Sequence, residues 1–251
     1  MPRFGTMNVR PWAEGIVSEI RDYKTESITL PKARILNLTL EVDEKKSDNL
    51  LPPAMHPSIP SYTIINVMHC PESPWGGFSI AEVRIAGRTV VRPRGFVLRS
   101  FVDTAGARRE LSSRWGFPVA EGEVELEVRH DRIQGRVRAG GKTILDCELI
   151  DRDLISGADI QYLANMQLAR SKVDGKLILV QVDPEFTFSK AERGKPKVNV
   201  LDADAWKTGG NLDIHNPISS SYAIADVKMP LVRYIVDPER PAFQGTTKVA
   251  A

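Results

Sequence analysis

The alternation of apolar and polar positions reads as a succession of short strands. In residues 33–42 (ARILNLTLEV), Leu36, Leu38, Leu40 and Val42 fall on one side and Asn37, Thr39 and Glu41 on the other. A period of two with one apolar side marks a half-buried strand. Similar runs occupy residues 62–69, 78–86, 95–102 and 124–129. Residues 133–138 and 143–150 flank Ala139-Gly140-Gly141-Lys142, which predicts a hairpin because glycine supplies positive φ at little cost. Residues 176–182 and 222–236 add further strands. Helical signals are few. Residues 103–114 (DTAGARRELSSR) predict one helix with Asp103 or Thr104 as N-cap, and DEKKSDNLLPP predicts a short charged one stopped by Pro52 and Pro53. Many strands and few helices predict an antiparallel sheet closed or stacked on itself, with helices at its ends. Residues 1–23 read as an N-terminal arm. Residues 24–251 hold no long Pro/Gly/Ser linker and read as a single domain.

Composition narrows the function. The 251 residues are ample for a buried core. Lys+Arg is 34 against Asp+Glu 32, a balance that argues against nucleic acid or an anionic membrane surface as partner. No apolar run approaches the ~18 residues of a membrane span. The first residues, MPRFGTMNVRPWAEG, show no apolar signal-peptide core. Two cysteines, Cys70 and Cys147, cannot build a disulfide framework, which points to a reducing cytoplasm.

Several chemistries find no motif. The four histidines, His56, His69, His130 and His215, form no HxH or HExxH pair, so no metal is expected. The glycine pairs belong to no GxGxxG or GxxxxGK[ST] loop, GxSxG is absent, and no cofactor is expected. The basic stretch RHDRIQGRVR reads as the wet side of a hairpin.

Two charges stand out. Glu82 follows Phe78 and Ile80 at period two, and Arg84 continues that side; Ala81, Val83 and Ile85 form the other. Arg99 interrupts the apolar run GFVLRSFV and shares a predicted side with Val97 and Phe101. Charge in such strands is costly unless paired or hydrated. One reading is an edge strand or a structural Glu–Arg pair. The other is a pocket where arginine holds a carboxylate and glutamate does acid–base work.

Five segments in order, spanning about residues 35–236, resemble the acetoacetate decarboxylase superfamily. SSSYAIADVKMP (residues 219–230) is similar to the family's C-terminal SSSxxxADxxxP. VDTAGARRELSSRWGFP (residues 102–118) is similar to its strand, helix and aromatic-proline turn. Val67-Met68-His69 with Ser73-Pro74-Trp75-Gly76, the LLPP at residues 50–53, and Asn165 complete the resemblance. It implies an α+β, mainly antiparallel, barrel-like fold with peripheral helices, an internal apolar pocket and a homo-oligomer. It also implies an imine-forming lysine in (F/Y)PKK, a neutral amine acting as nucleophile. Here the turn reads Gly116-Phe117-Pro118-Val119-Ala120, and neither Val119 nor Ala120 can form an imine. Lys142, Lys172 or Lys228 would have to reach the pocket instead. The expectation is a lyase that works without lysine on a small or aromatic oxo or hydroxy compound, by dehydration, retro-aldol cleavage or decarboxylation. The alternative is a non-catalytic binder or carrier of an organic acid. Glu82, Arg99 and His69 are the candidate catalytic residues. Arg34, Trp115, Phe117 and Val119 are the candidate substrate-binding residues. Glu82 and Arg99 are expected to share one cavity, with Arg34 or His69 at its rim.

Overall fold

The computed structural model describes residues 3–21, 23, 26–89 and 92–249. Its strands are β1 (Ser18–Ile20), β2 (Ile28–Val42), β3 (His56–Pro57), β4 (Tyr62–Cys70), β5 (Phe78–Thr89), β6 (Arg92–Val102), β7 (Val119–Glu121), β8 (Glu123–Val128), β9 (Arg132–Ala139), β10 (Lys142–Leu154), β11 (Ala164–Ser171), β12 (Leu177–Val182), β13 (Glu185–Leu201), β14 (Ile214–Met229), β15 (Tyr234–Val236) and β16 (Thr246–Lys248). Helices are short: α1 (Val9–Ala13), α2 (Glu44–Asp48), α3 (Ala105–Trp115) and α4 (Ala242–Gly245).

All the strands join one mixed sheet whose main path runs β16-β15-β12-β11-β6-β5-β4-β2-β14-β13-β10-β9-β8. Most pairings are antiparallel; β1 with β11, β11 with β6 and β6 with β7 are parallel. The path has two ends, so the expected barrel is not closed. It curls instead, and β8 packs against β4, β5 and β6 without extending their ladder. The curl is tight where β9 crosses β4. A Cβ on Gly135 would lie 2.7 Å from Val67 Cγ2, so only glycine allows the approach.

Period two gives each central strand two buried sides, and hence two apolar clusters. Leu36, Val67, Val83, Leu98 and Cys147 belong to the first. Ile35, Cys70, Phe78, Ile80, Ala225 and Val227 belong to the second. Helix α3 covers the second with Ala107, Leu111 and Trp115, spaced at one helical side. It ends at Gly116, whose φ of 71° turns the chain so that Phe117 comes back onto that cluster. Trp115 is buried, its Nε1 donating to Pro230 O at 2.8 Å.

The expected arm, residues 1–23, supplies Met7, Val9 and Ala13 to the first cluster and β1 to the sheet; residues 1, 2 and 22 lie outside the described residues.

Candidate active site

Strand parity builds a cavity beside the second cluster. On β5, the side that carries Phe78 and Ile80 continues to Glu82 and Arg84. On β4, Met68 stands opposite Ile80 and Asn66 opposite Glu82. Ile35, Phe117 and Val227 add apolar wall; Tyr162 and Asn165, before and within β11, add polar atoms. The cavity measures about 40 Å³. That is several times the ~10–15 Å³ one buried water needs, so it can take the reacting end of a small molecule.

Two charges sit in this wall. Glu82 is 2% exposed and Arg84 7%. Arg84 Nη2 donates to Glu82 Oε2, and Ser100 Oγ donates to Glu82 Oε1 at 3.3 Å. Such burial is tolerable because each charge compensates the other. The pairing leaves capacity over. Arg84 Nε and Asn165 Oδ1 are buried without a hydrogen-bond partner among the described residues. An open donor and an open acceptor in an apolar hollow are what a polar guest would satisfy. The Tyr162 ring stands edge-on to Phe186, 5.0 Å between centroids. Burial pushes its phenol up to about 12, so at neutral pH it is a proton-bearing donor.

Among the described residues no lysine lines the cavity. Lys228 pairs with Glu185 at 3.2 Å, Lys172 pairs with Glu19 at 3.3 Å, and Lys142 is exposed. Nor do any three His, Cys, Asp or Glu side chains gather as a metal centre would need, and no helix is long and apolar enough to cross a membrane, among the described residues.

Of the residues singled out by sequence, Glu82 and Phe117 line the cavity. Trp115 and Val119 belong to the surrounding apolar packing: Trp115 is buried, and Val119 is half-buried in β7 opposite Ser100. Arg99 points elsewhere. It pairs with Val83 of the first cluster and lies 5.4 Å from the centroid of Phe101, another member of that cluster. A bulge at Leu98 pairs Val97 with Arg84, so Val97 and Arg99 do not share a side, and Ser100 stands opposite Glu82. Arg34 and His69 pair with each other on the side of Leu36 and Val67, away from the cavity. Burial first, then Arg34, holds the His69 pKa below the usual histidine value. Its Nδ1 lies 3.1 Å from Ser79 Oγ. Arg84, Asn66 and Tyr162 were not singled out. Parity with Glu82 signals Arg84, but nothing in the sequence signals Tyr162.

The family model for acetoacetate decarboxylase matches residues 18–238. The chain belongs to the acetoacetate decarboxylase family. Its fold is that of the acetoacetate decarboxylase from Legionella pneumophila (TM-score 0.71, 18% identity, 83% of this chain and 86% of that one). It is also similar to the enduracididine biosynthesis enzyme MppR complexed with the condensation product of pyruvate and imidazole 4-carboxaldehyde (TM-score 0.64, 14% identity, 91% and 95% covered). A third neighbour is an acetoacetate decarboxylase-like enzyme from Sphingomonas wittichii (TM-score 0.59, 13% identity, 91% and 99% covered). A search of curated proteins by sequence found no significant match. At these identities the structural likeness concerns the fold alone.

Proposed function

We propose that the chain is a lyase of this family that works without an imine, on a small oxo or hydroxy compound seated in the cavity. The observation that carries the reading is the buried Glu82–Arg84 pair, with Arg84 Nε and Asn165 Oδ1 open, in a cavity that no lysine lines among the described residues. Glu82 is the base. Its carboxylate takes the proton α to the substrate carbonyl, and the electron pair passes to the carbonyl oxygen. Arg84 and the protonated Tyr162 donate to the resulting enolate. Where a β-hydroxyl is present, the enolate pair re-forms as C=C and the hydroxyl leaves. Glu82 returns its proton to that oxygen, so the products are the unsaturated oxo compound and water. In retro-aldol cleavage Glu82 instead takes the β-hydroxyl proton, and the Cα–Cβ bond breaks to release an aldehyde or ketone. The electron pair of that bond leaves the shorter oxo fragment as an enolate, which Arg84 and Tyr162 stabilise and which takes the proton back at its α-carbon. Decarboxylation asks more, because a neutral carbonyl is a weaker electron sink than an iminium. The names of the structural neighbours, a decarboxylase and an enzyme holding a pyruvate condensation product, support lyase chemistry of this kind.

One observation favours the alternative, a binder or carrier without turnover: both Glu82 oxygens already have partners. Deuterium exchange at the α-carbon of a panel of oxo acids, followed by NMR, decides between them. Glu82→Gln keeps the shape and removes the proton acceptor, so exchange should fall roughly 10²–10⁴-fold with the fold intact. Equal exchange in the variant refutes the role of Glu82. Saturable binding with no exchange in the wild type establishes the binder.

A further inference from the structure

Pro184 lines the cavity and also a second, wider groove of about 640 Å³. Three arginines line that groove: Arg92 and Arg94 of β6, and Arg233 just before β15. Arg94 is 5% exposed. Its Nη2 donates to Asp183 Oδ2 at 3.1 Å and its Nη1 to Pro93 O at 2.9 Å. Gln181 Nε2 donates to the same Asp183 oxygen at 2.8 Å. Arg94 Nε and Asp183 Oδ1 are buried with no partner among the described residues.

The charge balance is uneven. Asp183 is taken by Arg94, and Glu185, the groove's other carboxylate, by Lys228 at 3.2 Å. Arg92 and Arg233 are exposed and make no ion pair among the described residues, so two cations are left uncompensated. The sheet ties groove to cavity: Ala164 pairs with Arg94, and the next rung pairs the cavity's Asn165 with Gly95. A solvated surface arginine needs no explanation. A 95%-buried one, anchored by a carboxylate and flanked by two free cations beside a candidate active site, is a built position.

We propose that this groove is a second subsite of the same ligand, taking an oxyanion at the end remote from the reacting carbonyl. The substrate class would then be an oxo or hydroxy acid with a second carboxylate, the reacting end in the cavity and the far carboxylate between Arg92 and Arg233, with Arg94 holding the groove in shape. The proposal rests on the cavity being the reacting site.

Calorimetric titration with 2-oxoadipate and 2-oxohexanoate, which share a carbon count and differ in the terminal carboxylate, tests it. The wild type should bind the dicarboxylate about tenfold more tightly, as a charge-assisted hydrogen bond allows. In Arg92→Ala/Arg233→Ala the ratio should fall close to one. The pair Arg109→Ala/Arg138→Ala, which removes the same charge elsewhere, should keep it. Inorganic phosphate, titrated alone, should bind the wild type and lose about tenfold in the groove variant. A wild-type ratio near one, an equal loss in both double variants, or no phosphate binding overturns the subsite. The phosphate arm does not involve the cavity, whereas the Glu82→Gln exchange assay does not involve the groove, so either reading can fail while the other stands.

Discussion

Replacing Arg84 by methionine strips the compensating charge from Glu82 while roughly keeping the volume. The cost depends on how dry the pair is. A solvent-exposed ion pair is worth about 0–1 kcal/mol. Here the side chains are 9% and 3% exposed, so the carboxylate left behind cannot recover its hydration. The loss expected for removing one partner of a buried pair is about 3–5 kcal/mol. For a chain of this size each kcal/mol moves the melting temperature by roughly 2–4 °C, so the fall should be about 6–20 °C. Urea titration and calorimetry of Arg84→Met, Glu82→Gln and the double variant measure it. The double variant should recover part of the loss, because neither charge is then stranded. An Arg84→Met loss under about 1 kcal/mol would mean that water reaches the pair. The cavity would then be an open surface notch, and Glu82 a hydrated carboxylate and not a desolvated base.

Three further outcomes follow from the geometry. Borohydride added with acetoacetate or pyruvate should leave the protein's mass unchanged, since no described lysine lines the cavity; an adduct in the mass spectrum would locate a substitute amine. The His69 ring should titrate below the usual histidine range by NMR, and Arg34→Met should raise its midpoint without restoring it, because burial is the larger cause. With that lowered pKa the unfolded chain takes the proton first, so His69's contribution to stability is complete above the usual histidine pKa. It is lost as pH falls through the folded value, and urea midpoints across that window should show the drop. Gly116→Ala should destabilise by at least about 1–2 kcal/mol in urea, for positive φ alone. Its Cβ would also come 2.6 Å from Ala169 Cβ.

The sequence was most legible where one side of an element meets water and the other an apolar cluster. The pattern of residues 33–42 located the body of β2, and the Gly140-Gly141 pair, with φ of 57° and 76°, located the β9–β10 hairpin. Helix α3 begins just after Thr104, as its capping residues imply, although Thr104 makes no side-chain cap bond; Asp103 Oδ1 instead accepts from Ser79 N at 2.8 Å. Strand β13 escaped notice because EFTFSKAERGKPKVNVL is charged on much of both sides and contains a proline, yet it pairs with β10 on one edge and β14 on the other. The site was half legible for a related reason. Period two tells which residues of one strand share a side, so Glu82 and Arg84 could be joined. It does not tell which residue of the next strand stands opposite. That register, with the bulge at Leu98, put Ser100 and not Arg99 beside Glu82. Tyr162 and Asn165 come from a stretch far along the chain, joined to β5 only through the folded sheet.

The pairing of β2 with β14 constrains how the chain can be made. Asn37 lies beside Ser221 and Ile28 beside Met229, so one of the first strands synthesised waits for one of the last. A ribosome reading from the N-terminus releases β2 and β4 early, and they can pair at once. The other edge of β2 stays bare, with Leu36 and Leu38 flanking it, until β14 has emerged. Closing so long a loop makes completion slow, and a bare apolar edge on a nascent chain invites the wrong partner in the meantime. A message truncated before β14 should therefore yield an aggregating product and not a smaller stable domain.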